Sequence, residues 1–185
     1  MPDPLEFEAV VRDRLEPWAA ELGGDRDAYT NHVLRVLSFC DLLAGTSPGG
    51  TNAPSARPEF RCAAVFHDLG VWTANTFDYL PPSIDLARDW LIGNGQPELV
   101  PEVTAMIDDH HRIRPVRGPY PGVEVFRRAD LVDVSAGLVR SGISRRAYRA
   151  VAERYPNAGF HRRLAQLGAR RVRSHPLSPL PMVKW

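Results

Sequence analysis

Apolar residues recur at helical spacing along most of the chain, and the breaks between them fall at Gly and Pro. Residues 5–22 carry a helical apolar pattern that stops at Gly23-Gly24, with Pro17 placed to kink or split it. Residues 26–44 follow, with Val33, Val36, Leu37 and Cys40 at helical spacing. The stretch 45–58, GTSPGGTNAPSARP, is dense in turn formers and reads as a flexible surface loop. Residues 59–69 form an almost wholly apolar run closed by Gly70, which suits a helix at the centre of the molecule. Pro81-Pro82 open a helix over about 82–93. Further helices are expected over 98–112, 123–140, 144–154 and 158–172; the apolar positions of 123–140 are Val125, Phe126, Ala129, Val132 and Leu138. The proline-spaced end, 174–185, reads as an extended tail. Strand-like alternation is scarce and no repeat appears. The expectation is one all-α domain over 1–185, a bundle of about seven helices without an internal boundary.

Composition narrows the class. With 185 residues, 44% hydrophobic and net charge +1, the chain is long enough to bury a core and too apolar to be disordered over most of its length. No run approaches the ~18 apolar residues of a membrane span. The start, MPDPLEFEAVV, has neither a basic nor an apolar leader segment. Cys40 and Cys62 lie in apolar contexts, as buried thiols in a reducing compartment do, so a cytoplasmic location is expected. The near-neutral balance speaks against nucleic acid as the main partner. Arg162, Arg163, Arg170, Arg171 and Arg173 then read as the wet face of a terminal helix or as an interface, which leaves room for a homo-oligomer.

The informative break in the pattern is His67-Asp68, at the end of the apolar run CAAVFHDLG. A buried, unpaired carboxylate costs several kcal/mol in practice, and a bound cation is one way to offset it. Alone, the dipeptide fits a capped Asp beside a core His equally well. It is joined by His32, one turn before Val36, and by Asp130, between Ala129 and Leu131. Two imidazoles and two carboxylates, each near an apolar stripe, suit a divalent first-row metal in a bundle core.

The order His32 … His67-Asp68 … Asp130 resembles that of the HD-domain metal-dependent phosphohydrolase superfamily, over about residues 26–140. The resemblance implies an all-α bundle in which His32, His67, Asp68 and Asp130 hold the metal, with Asp133, one turn on, as a less favoured ligand. It also implies a metal-activated water acting on a small phosphate ester such as a nucleotide. The ion would be Mn, Fe, Co, Ni or Zn.

DDHHR places His110-His111 next. Neighbours on a helix differ by about 100° in direction, so only one of the two is expected to face a given point. In two-metal members of the family a histidine here binds a second ion, together with one at the start of the preceding helix. Ser83 stands at that earlier position and no histidine lies between His67 and His110, so one metal is expected. That leaves His110 and His111 as catalytic candidates beside Asp68. Arg112 and Arg114 are candidates for clamping an anionic substrate, with a solvated basic loop as the equal alternative, and Trp72 and Tyr79 for lining a partly apolar pocket or packing in the core, whereas Phe77 reads as a core residue. Val71 occupies the position at which many phosphohydrolase members carry a charged helper. A hydratase of small nitriles, of the cyanamide-hydratase type, is therefore the alternative activity. A di-iron oxygenase is disfavoured by the incomplete second set, and a non-catalytic binding protein is the remaining class.

Overall fold

The computed structural model describes residues 4–174, 176 and 181–184; residues 1–3 and the rest of the expected tail (175, 177–180 and 185) lie outside the described residues. Pro17 splits the first segment as expected. Helix α1 (Pro4–Leu15) gives way to a 3-10 turn at Glu16–Trp18 and then to α2 (Ala19–Leu22). Next come α3 (Arg26–Leu43), α4 (Pro58–Phe66), α5 (Gly70–Thr73), α6 (Leu80–Gly93), α7 (Val100–Asp109), α8 (Pro121–Val134), α9 (Arg145–Arg154) and α10 (Phe160–Ser174). Among the described residues the only strand-like feature is one isolated bridge, Arg112 to Lys184. The chain is an all-α bundle. No helix among the described residues is long and apolar enough to cross a membrane.

Helix α8 stops six residues before the expected end at 140. Ala136 takes a left-handed φ of 50°, and the amides of Ala136 and Gly137 turn back to the carbonyls of Asp133 and Val132. This is a Schellman closure with alanine in the position usually held by glycine. Gly137 is required for another reason: a Cβ there would lie 2.7 Å from the Tyr148 ring. Leu138, expected on the apolar stripe, falls beyond the helix and is 87% exposed.

Helix α3 runs through the middle of the bundle, packed along α8 and flanked by α1, α4 and α9. It is buried on nearly all sides, so its polar residues must be satisfied internally. His32, Arg35, Ser38 and Asp41 follow at intervals of three along it. Ser38 donates back to the Leu34 carbonyl. Asp41 accepts from the Ser55 amide, the Ser55 hydroxyl and the Gly49 amide, at 2.8, 2.6 and 2.8 Å. These bonds tie the 45–58 loop to α3 and bury Ala53, Pro54 and Ser55 within it. Cys40 and Cys62 are free and buried, and burial pushes the Cys62 thiol up to about 12.

Candidate metal centre

Helix α4 brings its apolar run to the centre and ends there. His67, Asp68 and Leu69 leave in tight turns, with the Leu69 amide on the Phe66 carbonyl and the Val71 amide on the Asp68 carbonyl. The break frees two adjacent side chains to face the same point. Gly70 follows because α6 comes too close for anything larger: a Cβ would sit 2.5 Å from the Tyr79 carbonyl. The Gly70 amide donates to the buried Ser83 hydroxyl at 3.0 Å, so Ser83 serves the backbone.

Four side chains from α3, the α4 end and α8 converge. His32 Nε2 lies 2.9 Å from His67 Nε2, 3.6 Å from Asp68 Oδ2 and 3.7 Å from Asp130 Oδ1. His67 Nε2 lies 3.6 Å from each of the same two oxygens. All four residues are fully or almost fully buried. Donor atoms bound to one cation at about 2.1 Å sit roughly 3.0–3.4 Å apart, close to these separations.

The outer edge of each imidazole is already committed. His32 Nδ1 is 2.7 Å from Asp133 Oδ2, and His67 Nδ1 is 2.8 Å from the Ala64 carbonyl. Each Nδ1 proton has an acceptor, which leaves the Nε2 lone pairs for the centre. Asp133 is therefore spoken for: it also takes two bonds from the buried Arg35 guanidinium, at 2.6 and 2.9 Å.

Charge makes the same demand. Asp68, Asp130 and Asp133 bring three negative charges and Arg35 one positive, leaving two negative charges around the centre with neutral imidazoles. A divalent cation cancels that excess. In the protein alone the carboxylates draw protons instead. Burial alone would lower the His67 imidazole, but Asp68 and Asp130 outweigh it and lift it to about 9. Burial alone would raise the Asp68 carboxyl, but the imidazoles of His67, His110 and His32 hold it well below the usual range. Asp68 Oδ1, His110 Nε2 and both oxygens of Asp130 are buried without a hydrogen-bond partner among the described residues. Orphaned acceptors of this kind fit the groups of a metal site.

A second set of donors adjoins the first. Helix α7 ends at Asp109, so His110 and His111 lie in a turn and escape the angular spacing that would separate helical neighbours. His110 Nε2 is 3.4 Å from Asp68 Oδ1, and His111 Nδ1 is 3.7 Å from Asp130 Oδ2. His110 Nδ1 is held by the Ile107 carbonyl at 2.6 Å. Each carboxylate thus turns one oxygen to the His32–His67 pair and the other to the His110–His111 pair. Asp68, His110 and His111 form a donor group of their own. The expectation that only one of the two histidines would face the centre assumed an unbroken helix and is corrected here.

Two cavities open on this cluster. The inner one, about 140 Å³, touches Asp68 and His111; the outer one, about 420 Å³, touches His110, His111 and Asp130. His111 is joined to the Tyr79 hydroxyl by a 2.7 Å hydrogen bond. Burial and the neighbouring His110 pull its pKa down to about 4, so it is neutral near pH 7. Burial and the charge of Asp68 push the Tyr79 phenol well above its ordinary value.

The expected substrate contacts are more scattered. Arg112 lines the outer cavity and reaches Asp109 at 3.3 Å. Arg114 is exposed. Trp72 packs on Tyr29 and donates to Asp25 at 3.0 Å, lining neither cavity. Tyr79 does line the inner one, as does Phe77.

The supporting shell went unread. Arg35 carried a signal, a charge one turn after His32 in a buried helix. Phe160, fully buried, stacks on the His32 ring at 4.0 Å and carried none, because an apolar residue opening an amphipathic helix is ordinary. Comparison of the chain with family models, curated proteins and solved structures finds no match.

Proposed function

We propose that the chain is a metal-dependent hydrolase of the HD type that uses water on a small molecule held beside the metal. The reading rests on one observation: four donor atoms from three separate segments converge in a buried, net-negative centre whose remaining acceptors have no partner.

His32, His67, Asp68 and Asp130 would hold the ion. A divalent cation there supplies Lewis acidity, lowering the pKa of water and polarising an electrophile's oxygen. The protein's own groups do the rest. Asp133 and Arg35 lock the His32 ring, and the Ala64 carbonyl locks His67. Neutral His111, hydrogen-bonded to Tyr79, faces the inner cavity and can take or give a proton at the reacting centre. Phe160 and the surrounding core keep bulk water off His32.

Two observations refine this reading. Asp68, His110 and His111 would hold a second cation, with the outer oxygen of Asp130 3.7 Å from His111 Nδ1. The lining of the inner cavity, which among the described residues holds no arginine or lysine, favours a hydratase acting on an uncharged substrate over an esterase acting on phosphate. In the outer cavity Arg127 is bound to Glu124 and to the Arg112 carbonyl, while Arg112 reaches Asp109 and leaves its Nε without a partner among the described residues.

The test is metal analysis of the full chain by atomic emission, with activity assays covering phosphate release from nucleoside monophosphates and urea formation from cyanamide. Wild type should hold a first-row metal and turn over one class. Asp68→Ala should lose metal and turnover together; retention of both by that variant overturns the assignment.

A further inference from the structure

The inner cavity has a chemistry of its own. Its walls are Phe77, Tyr79, Val134, Leu164, Met182 and Val183, and its floor is Asp68 and His111. Among the described residues no arginine or lysine lines it. In the metal-free protein a phosphate group inside would give up its hydration facing a carboxylate, with no guanidinium or ammonium to replace the lost water, and in the loaded protein only the ion held by Asp68 would offset that loss. Arg112 and Arg127 line the outer cavity and not the inner one, and Arg127 already makes three hydrogen bonds.

Size bears on the group that reaches the floor. The space is about 140 Å³, close to the engineered cavities of about 150 Å³ that hold benzene, but it is about half open, so it limits the part of a ligand held against Asp68 and His111. One wall comes from the other end of the sequence. The segment 181–184 is held across the mouth by the Ile113 amide, which donates to the Lys184 carbonyl at 2.8 Å, and by an ion pair between Lys184 and Asp108. This anchoring places Met182, 5% exposed, and Val183 over the floor residues. It hangs on Asp108 and Ile113, which flank the histidine pair, so the wall and the reactive floor are built from one short stretch of chain.

We propose that the inner chamber takes a small, uncharged substrate with an apolar body about the size of a six-membered ring, its polar reacting group turned toward Asp68 and His111. The proposal rests on the metal-dependent reading of the same centre, but the shape and lining of the chamber belong to the protein alone.

The experiment compares cyclohexanone with cyclohexyl phosphate, the same ring with and without the charged group. Binding is measured by calorimetry on the full chain, both metal-loaded and after chelation, with metal content determined on each sample. Cyclohexanone should bind at least tenfold more tightly than cyclohexyl phosphate in the chelated form, where the lining alone decides. Leu164→Phe, which fills the chamber from α10, should weaken cyclohexanone at least tenfold with metal content unchanged. Val183→Trp tests the same point from the opposite wall should the first variant fold poorly. Preference of the chelated chain for the phosphate, or cyclohexanone binding indifferent to both filling variants, overturns the proposal. A chain that takes up no metal yet shows the expected preference overturns the hydrolase reading and leaves the chamber's selectivity standing.

Discussion

His32 and Asp133 are joined by a 2.7 Å hydrogen bond between Nδ1 and Oδ2, and Asp133 is locked in turn by two bonds from Arg35. The carboxylate stands behind the imidazole. It fixes which nitrogen carries the proton and which way the lone pair points, without itself reaching the centre.

Asp133→Asn should therefore weaken metal binding while leaving all four proposed ligands in place. An amide can still accept from His32, but its NH2 group must then confront the Arg35 guanidinium. Loss of an outer partner of this kind lowers metal affinity by about 10–100-fold. Competition titration with a chelator checks it. As a positioning residue, Asp133 should change affinity without changing the number of ions bound at saturation; a lost equivalent would make it a ligand.

The same carboxyl carries a pH signature. Burial alone would raise it, but the bonds from His32 and Arg35 prevail and hold it at about 2. An unfolded Asp titrates at about 3.9. The folded value is the lower one, so the contribution is fully present above about pH 4 and is lost as pH falls toward 2. Its size is about 2 kcal/mol by the same linkage. Denaturant unfolding of the chelated protein should show stability falling through this window more steeply for wild type than for Asp133→Asn. Parallel curves would mean that the pair contributes no such term.

The two histidines after α7 test how many ions the centre takes. His110 presents Nε2 to Asp68 Oδ1 with its other nitrogen held by a carbonyl, the same arrangement as His67. Wild type is expected to take up two equivalents of a divalent metal, and His110→Gln only one, with the His32–His67 ion retained. One equivalent in both proteins would return His110 and His111 to the substrate side of the chemistry.

How far the sequence could be read depended on range. Pro17 and Gly23-Gly24 act on the backbone where they stand, so their breaks were visible. The four proposed ligands were visible because each interrupts an apolar stripe. The end of α8 was hidden, since Ala136 takes a conformation for which glycine is the usual signal. Arg35 and Phe160 depend on partners about a hundred residues away, Asp133 for the first and His32 for the second, and only the packed bundle brings them together. The paired approach of His110 and His111 was missed because it needs a helix to end at Asp109, where neither Gly nor Pro marks a stop.

Gly70 is where backbone packing and the chamber meet. It lies two residues after Asp68, and a Cβ there would press on the Tyr79 carbonyl at 2.5 Å and on the Ser83 amide at 3.0 Å. Both are backbone groups at the start of α6, so neither can swing aside as a side-chain tip could. Gly70→Ala must push α6 outward and carry Tyr79 with it, at an overpacking cost of about 1–3 kcal/mol. His32, His67, Asp68 and Asp130 come from α3, the end of α4 and α8 and keep their places. The expected result is a destabilised protein that keeps the His32–His67 ion, with a broken Tyr79–His111 hydrogen bond and weakened binding in the inner chamber. Metal analysis with calorimetry on the purified variant checks this. Full metal content with unchanged cyclohexanone affinity would show that Tyr79 does not shape the chamber, whereas loss of metal would show that the position of α6 supports the centre itself.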